Sequence, residues 1–265
     1  MTDLSEYRSV RKPPDETAPE VEWNDFYDYV FEWPQDEHLA VIGPTGQGKS
    51  NLLHWALKKR RYVVIFGTKP KDGMYQNMLD SGDYKRIEEW PPRKRRWYGG
   101  SRLVTPDEMP RRLLWPDATS LNSEPAQKRE FSKALNDIYV QGGWCAVWDD
   151  YWYITNVLDM LHDSKKMLMN ARSNDIPFVV ATQRPAGQRN VELFDQSTHL
   201  FFARDNDERN LKTIGGVGYL DSRLIQAHVA HLEPYQFLYV NTRNGYMYRT
   251  SAPLLKARKN GRRNR

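Results

Sequence analysis

The chain has 265 residues, enough for one large hydrophobic core or two small ones, and we expect a single domain. No segment approaches the roughly 20 consecutive apolar residues of a membrane span, and the N-terminus lacks the apolar core of a signal peptide, so we expect a soluble, cytoplasmic protein. The net charge of +5 comes from the end of the chain: residues 256–265 carry six basic groups and no acid, which leaves 33 basic against 34 acidic residues elsewhere. We interpret this segment as a basic tail on a nearly neutral body.

The first residues differ in composition from the rest. Residues 1–24 contain three prolines and show little hydrophobic periodicity. We predict that they form a mobile arm, followed by one domain that spans residues 25–255.

A buried strand and a glycine-rich loop stand near the start of this domain. Residues 38–42 are mostly apolar and predict a strand, and the eight residues that follow match Gly-x-x-x-x-Gly-Lys-Ser, the Walker A or P-loop motif. Apolar residues at helical spacing from Leu52 to Leu57 then predict a helix, which is the context that the motif requires. The motif consists of Gly43, Pro44, Thr45, Gly46, Gln47, Gly48, Lys49 and Ser50.

The motif predicts a site for ATP and Mg²⁺. Its glycines let the backbone turn tightly, so that backbone N–H groups and the N-terminus of the next helix meet phosphate oxygens. In such a loop Lys49 reaches the β- and γ-phosphates, and the hydroxyl of Ser50 is a ligand of Mg²⁺.

A second buried strand is predicted at residues 62–66, and a charged insertion, residues 73–102, follows it. Basic and aromatic residues are interleaved between Trp90 and Tyr98, which suits contacts with a nucleic-acid backbone and its bases. The alternative is a solvated insertion whose aromatic side chains cover the sheet edge, and the composition does not decide between the two. The candidate residues for nucleic-acid contact are Arg93, Lys94, Arg95 and Arg96 in the insertion, and Arg258, Lys259, Arg262 and Arg263 in the tail.

The rest of the chain alternates strands and helices, which predicts an α/β fold with a mainly parallel sheet flanked by helices. An apolar strand at 144–148 ends in Asp149 and Asp150, the form expected of a Walker B strand whose acid binds Mg²⁺. A later strand at 176–181 is followed closely by Gln183, where open α/β sheets place groups that contact ligands. We also predict strands at 101–105 and 199–203, helices at 125–140, 154–170, 207–214 and 220–228, and a C-terminal β-hairpin of residues 236–240 and 246–249.

These features resemble the FtsK/HerA superfamily of P-loop ATPases that pump DNA, a group that includes viral genome-packaging ATPases and conjugation motors. The string Ala181-Thr182-Gln183-Arg184-Pro185 matches one of the most recognisable motifs of that family. Residues 171–177 resemble the segment that enters the same strand, and residues 202–204 and 207–211 are similar to a later strand and helix. The resemblance covers residues 33–240.

The resemblance implies a RecA-like fold of the ASCE type, in which an extra strand, residues 177–182, lies between the P-loop strand and the Walker B strand. On that topology Gln183 lies beside the γ-phosphate and positions the attacking water. Asp149 holds Mg²⁺ together with Ser50. Asp150 stands where the family usually has Glu and would activate the water, and because its side chain is one methylene shorter we expect slow hydrolysis.

The same likeness implies a homo-oligomeric ring, a hexamer, in which Arg172 is the arginine finger that enters the site of a neighbouring subunit. Arg204 and Arg209 are second choices for this role.

We therefore expect an ATP-hydrolysing motor that translocates duplex DNA without reading its sequence, of the viral-packaging or mobile-element type. A capsid or conjugation protein is the expected partner, and for a virus the location is the host cytoplasm. One alternative is a P-loop ATPase or nucleotide switch that acts on a protein partner. Another is a small-molecule kinase, against which the paired acids and the strand that ends in glutamine argue.

Overall fold

The computed structural model of the protein describes residues 18–96, 98–120, 122–183, 191–214 and 220–255. The strands in these ranges are β1 His38–Ile42, β2 Val63–Phe66, β3 Lys85–Ile87, β4 Arg93–Arg95, β5 Ser101–Leu103, β6 Arg111–Leu114, β7 Cys145–Trp148, β8 Phe178–Thr182, β9 Ser197–Ala203, β10 Phe237–Asn241 and β11 Tyr246–Thr250. The α-helices are α1 Trp23–Asp25, α2 Lys49–Ala56, α3 Gly73–Asp80, α4 Glu124–Gln141, α5 Leu161–Asn170, α6 Val191–Gln196, α7 Glu208–Thr213 and α8 Ser222–His231. Single turns of π- or 3₁₀-helix lie at Phe26–Val30, Leu57–Lys59, Tyr153–Val157 and Ala171–Asn174. None of the helices in the described ranges combines the length and the apolar composition that crossing a membrane requires.

Nine of the strands form one sheet in the order β11-β10-β9-β1-β8-β7-β2-β6-β3. Neighbouring strands are parallel from β9 to β3, whereas β10 and β11 form an antiparallel hairpin at the other edge. The mainly parallel sheet and the C-terminal hairpin are therefore confirmed. Since β8 lies between β1 and β7, the predicted position of the extra strand is confirmed as well.

The sheet is buried between two layers. Alternate residues of β1 enter two different hydrophobic clusters, Ala40 and Ile42 on one face and Leu39 and Val41 on the other. Helices α4, α5, α6 and α8 contribute to the first cluster, and α2, α3 and the N-terminal aromatic residues contribute to the second. Because both faces are covered, the central strands are continuous apolar runs, which is why the sequence pattern predicted them.

The described fold begins before residue 25, within the segment that we predicted as a mobile arm. Ala18 is fully buried, and its carbonyl accepts a hydrogen bond from Nε of Arg249 at 2.9 Å. The aromatic residues of this segment explain the difference: Trp23 and Phe26 are buried, and Phe26 packs edge-on against Tyr239 with ring centroids 5.0 Å apart. Residues 1–17 lie outside the described part of the chain.

The insertion contributes more regular structure than its sequence indicated. Its β3, together with β6 just beyond it, extends the main sheet at the edge, and its β4 pairs with β5 in a separate two-stranded ribbon. The predicted strand at 101–105 is thus a strand of the ribbon, and β6 lies where we predicted no strand or helix. These edge strands have three or four residues and begin with basic side chains, so they lack the apolar pattern of a buried strand.

The helix predicted at 154–170 is divided into two. A π-helical turn ends at Val157 and α5 begins at Leu161. Between them Asp159 has a left-handed backbone conformation, with φ of 52°, which a continuous right-handed helix does not allow.

A candidate nucleotide site at the carboxyl edge of the sheet

Three neighbouring parallel strands bring the predicted site residues to one edge of the sheet. In the register of β1 and β8, Ile42 lies opposite Thr182, and in that of β7 and β8, Trp148 lies opposite Val180. The residues that follow these strands are the P-loop, Asp149 and Gln183. They therefore leave the sheet side by side, at the edge where open α/β folds bind ligands.

The P-loop glycines adopt backbone conformations that other residues rarely take. Gly46 and Gly48 both have φ of 83°, and Gly43 has φ of 150°. Gly43 is also restricted by its neighbours: its N–H donates to the carbonyl of Thr182 at 3.1 Å, and a Cβ placed on it would lie 2.6 Å from that of Ala203. The hydrogen bond thus holds the loop against β8, and the missing side chain of Gly43 lets the loop lie this close to β9.

The ammonium group of Lys49 lies over the loop. Its Nζ donates to the carbonyl oxygens of Gly43 and Pro44, at 2.6 and 2.7 Å. Burial lowers the pKa of Lys49 to about 8, and the nearby carboxylate of Asp149 opposes that shift. A phosphate oxygen would offer the same ammonium a charged acceptor, and a hydrogen bond between two charged groups is stronger than one to a carbonyl.

Asp149 is the centre of the site's hydrogen bonds. One carboxylate oxygen accepts from the hydroxyl of Ser50 at 3.3 Å, and the other accepts from the hydroxyl of Tyr75 at 3.2 Å and lies 3.8 Å from Nζ of Lys69. The side chain is only 6% exposed, and this burial raises its pKa, although Lys69 opposes the shift. A hydroxyl and a carboxylate at this distance can share a hard cation.

Asp150 and Gln183 differ in their surroundings. The Oδ1 atom of Asp150 accepts a hydrogen bond from the backbone N–H of Tyr153 at 3.1 Å, so this carboxylate caps the turn that follows β7. Gln183 is exposed, and it borders the same cleft as the P-loop.

Lys49, Asp149 and Gln183 surround one cleft with a volume of about 390 Å³. A cleft of this volume falls in the range typical of small-molecule sites. The Walker A loop supplies one wall, and the others come from segments that follow β2, β7 and β8 and from the C-terminal part of the fold. Three of the predicted site residues thus meet in one place, whereas Asp150 is not among the described residues that line the cleft.

Comparisons with known proteins agree with this architecture. No protein-family model matches the sequence, and no curated protein matches it either. Among solved structures, VirB4 of Thermoanaerobacter pseudethanolicus matches with a TM-score of 0.56 and 11% identity over 92% of this chain and 98% of that one. The genome-packaging NTPase B204 of Sulfolobus turreted icosahedral virus 2, in complex with AMP, matches with a TM-score of 0.53 and 13% identity over 84% of this chain and all of that one.

A third match is EccC of Thermomonospora curvata, ATPases 2 and 3 in complex with a signal sequence peptide. Its TM-score is 0.53 and its identity 13%, over 85% of this chain and 38% of that one. The fold is that of the P-loop ATPases. The predicted RecA-like class is confirmed, and the resemblance to the FtsK/HerA superfamily holds at the level of the fold.

The P-loop ATPase fold places other polar side chains beside Asp149 that the sequence did not single out. Lys69 and Asp72, which form an ion pair at 3.1 Å, follow β2, and Asp72 also caps α3 by accepting from the N–H of Met74 and Tyr75. The sequence did contain a signal for these two residues, because β2 also ends at this edge and a charged Lys69-Pro70-Lys71-Asp72 segment follows it. It did not reveal that β2 and β7 are neighbours in the sheet.

The candidate arginine fingers lie in different parts of the fold. Arg172 precedes β8 and acts electrostatically on Glu37 and His38, at the amino edge of the sheet and away from the cleft of its own subunit. Arg204 directly follows β9, whose last residue faces Gly43. Arg209 lies in the first turn of α7.

The basic residues of the insertion, Arg93 to Arg96, are exposed on and just after β4. Trp90 is buried, as the alternative of a covered sheet edge predicted, whereas Tyr98 is exposed. The predicted tail residues Arg258, Lys259, Arg262 and Arg263 lie outside the described part of the chain.

Proposed function

We propose that the protein hydrolyses ATP and uses the energy to translocate duplex DNA, as a motor for packaging or transferring a viral or mobile-element genome. The observation that carries the proposal is the convergence of Lys49, Asp149 and Gln183 on one cleft beside the P-loop. The similarity in fold to the packaging NTPase B204 and to VirB4 supports it.

The phosphates of ATP would bind where the P-loop backbone and the N-terminus of α2 present their N–H groups, with Lys49 at the β- and γ-phosphates. Ser50 and Asp149 offer hard oxygen donors 3.3 Å apart, and such donors fit Mg²⁺. Bound there, Mg²⁺ would offset the negative charge of the β- and γ-phosphates. Lys69 holds the carboxylate of Asp149 from its other side.

Gln183 and Asp150 are the residues that we assign to the attacking water. Gln183 borders the cleft and has an exposed amide, which can orient a water molecule by donating and accepting hydrogen bonds. Asp150 would accept the proton through Oδ2, because Oδ1 is bonded to the backbone of Tyr153. A base that also caps a turn is held in one orientation, and with its shorter side chain it would act on the attacking water through an intervening water molecule.

A second subunit completes the proposed site. In a hexameric ring Arg172 of one subunit would approach the γ-phosphate bound by its neighbour. An arginine finger contributes about 10³ to 10⁵ in rate, so isolated monomers should hydrolyse ATP slowly. DNA would be held through phosphate contacts, which position the duplex without reading its sequence.

One observation favours the alternative of an ATPase that acts on a protein. EccC, which shares the fold, was solved in complex with a signal sequence peptide. The proposed chemistry at the cleft would be the same for a protein substrate, and only the coupled partner would differ.

ATP hydrolysis by purified, size-fractionated protein, with and without long duplex DNA, tests the proposal. We expect DNA to increase hydrolysis several-fold, and DNA binding to weaken steeply as salt rises, because phosphate contacts release counterions. In the control variant Lys49→Ala, both basal and stimulated hydrolysis should be lost. If the wild-type protein hydrolyses ATP but ignores DNA, the alternative is correct, and if it does not hydrolyse ATP in any oligomeric fraction, both proposals fail.

A further inference from the structure

The cleft has two ends, and phosphate binding does not use the side chains that line one of them. The first end contains Gln183, which lies near the beginning of the P-loop because Thr182 bonds to Gly43. The second end, at the other end of the loop, is bordered by Tyr235, Leu254 and Leu255. An aromatic ring and two aliphatic side chains are unsuited to phosphates, since they offer apolar surface rather than charge or N–H groups.

Tyr235 is held against the P-loop in a strained conformation. Its φ of 66° is left-handed, which is rare for a bulky residue, and it lies in a turn that the N–H of Gln236 closes by donating to the carbonyl of Glu233 at 3.0 Å. The ring packs against Gly48, on which a Cβ would lie 3.0 Å from Cδ1 of the tyrosine, and the residue remains 44% exposed. The glycine therefore makes room for the ring, and part of the ring stays free to contact a ligand.

The two leucines belong to residues 251–255, which we call the C-terminal strap. Asn51, the residue that follows Ser50 in α2, binds the strap with both ends of its amide: Nδ2 donates to the carbonyl of Pro253 at 3.0 Å, and Oδ1 accepts from the N–H of Leu255 at 2.9 Å. Trp55, one helical turn further on, donates to the same carbonyl at 2.7 Å. These bonds fix the strap beside the nucleotide loop and leave Leu254 60% exposed.

We infer that Tyr235 and the C-terminal strap form the subsite for the nucleobase of the bound nucleotide. This inference rests on the proposed binding of a nucleoside triphosphate at the P-loop. With the phosphates at the start of α2, the part of the cleft that is left for a base borders Ser50 and Asn51, and this is where the strap is tied to α2. A planar base gains most from flat apolar surfaces, so a ring on one side and leucine side chains on the other suit it.

The test compares ATP with inorganic tripolyphosphate, which has the phosphates but no base. We expect Tyr235→Ala to weaken ATP binding about tenfold, the order expected for one base on an aromatic ring, and to change tripolyphosphate binding less than about twofold. Isothermal titration in the presence of Mg²⁺ measures both dissociation constants. Tyr235→Phe should bind ATP as the wild-type protein does, because it keeps the ring.

Two further variants control for general effects. Tyr246→Ala removes a tyrosine that is 58% exposed on β11 and does not border the cleft, so ATP affinity should be unchanged. Leu254→Ser alters an exposed side chain and should fold normally, with ATP affinity reduced about threefold and tripolyphosphate affinity unchanged.

The outcomes distinguish the subsite from the proposed function. The subsite would be overturned, while nucleotide binding stands, by either of two results in the Tyr235 and Leu254 variants. One is an equal loss of affinity for ATP and tripolyphosphate, and the other is no loss of affinity for ATP. If the wild-type protein binds neither ligand, the proposed function fails and the subsite with it.

Discussion

Glycines at and near the proposed nucleotide site are required for different reasons. At Gly43 a side chain would collide with Ala203 on β9, whereas at Gly46 nothing lies within 4 Å and only the left-handed backbone resists substitution. Gly73, the first residue of α3, has neither restriction. The P-loop motif, written as a pattern of letters, does not distinguish a steric requirement from a conformational one.

The loss of stability caused by alanine at each of these glycines should therefore depend on which restriction applies there. We expect Gly43→Ala to lower the free energy of unfolding by about 3 kcal/mol, because the new Cβ would lie 2.6 Å from another Cβ in a packed sheet. Gly46→Ala should cost about 1 kcal/mol from backbone strain alone, and Gly73→Ala less than about 0.5 kcal/mol. Urea denaturation of each variant measures the ranking. Equal stabilities for Gly43→Ala and Gly73→Ala would contradict the packing of the loop against β9.

Lys49 should make ATP binding at the proposed site depend on pH. Burial lowers its pKa from 10.5 to about 8, so the ammonium loses its charge as the pH rises through that value. If the charged form binds phosphate as proposed, the dissociation constant of ATP should be constant below the pKa and increase above it.

Titrations of ATP binding between pH 6.5 and 9.5 check this expectation. Lys49→Arg is the matched control, because a guanidinium stays charged over the whole range and the increase should be absent. A flat profile for the wild-type protein, or the same increase in both proteins, would exclude Lys49 as the titrating group.

At the scale of elements, the ribbon of β4 and β5 divides its basic residues between two faces. Lys94 lies opposite Arg102, and both form ion pairs with Glu108. Arg93 and Arg95 point to the other face, because successive side chains of a strand alternate. No ion pair of these two arginines is found within the described ranges, so their charge is available to an anionic partner.

The ribbon is anchored to the sheet by a buried arginine. The guanidinium of Arg112 donates to the carbonyls of Met109, Val104 and Thr105, and it lies 4.6 Å from the ring centroid of Trp144. Burial lowers its pKa to about 10, which leaves it charged at neutral pH. A ribbon held at its base in this way presents a fixed face, which suits contact with a regular backbone.

Two double variants that remove the same net charge compare the contributions of the two ribbon faces to DNA binding. Arg93→Ala with Arg95→Ala should weaken duplex DNA binding about tenfold and lower the slope of log affinity against log salt by about 2, as expected for two lost phosphate contacts. Lys94→Ala with Arg102→Ala should have a much smaller effect, because Glu108 already neutralises those groups. Fluorescence anisotropy at several salt concentrations measures both, with basal hydrolysis as a control for folding. Equal losses would mean that net charge alone matters, and unchanged binding in both would remove the ribbon from the DNA surface.

At the scale of the whole molecule, the cleft and Arg172 lie at opposite edges of the sheet. The cleft follows the carboxyl ends of the strands, and Arg172 acts on Glu37 and His38 at the amino edge. A subunit therefore cannot bring Arg172 to its own cleft. A head-to-tail contact, in which the amino edge of one subunit faces the cleft of the next, would bring the two together and would close into a ring if the rotation allows.

Mixing of inactive variants tests this arrangement. Arg172→Ala should retain ATP affinity and lose turnover, and Lys49→Ala should lose turnover because its own site is defective. Mixed subunits should recover part of the activity, because a site with Lys49 can receive Arg172 from the Lys49→Ala subunit. Hydrolysis measured over a range of mixing ratios follows the recovery, and Arg172→Lys serves as a charge-matched control that should not restore full turnover. If no ratio gives activity, Arg172 is not a finger acting between subunits, and its interaction with Glu37 remains as its role.

The sequence by itself determined the features that depend on neighbouring residues. The P-loop, Gly43 to Ser50, is contiguous, and its glycines, lysine and serine are set by the geometry of a phosphate group, so a pattern of eight residues sufficed. The central strands could be predicted because burial on both faces requires continuous apolar runs. The place of β8 between β1 and β7 followed from the resemblance of residues 181–185 to a known family, and the structure confirmed it.

Only the tertiary structure decided which distant residues meet. Asp149 bonds to Tyr75, 74 positions away, and Asn51 holds Leu255, 204 positions away. No local periodicity encodes such contacts, because they depend on the order of the strands and on where the chain returns to the sheet. The short strands β3 and β6 were missed for a related reason: an edge strand with basic side chains is stabilised by its neighbours rather than by its own pattern.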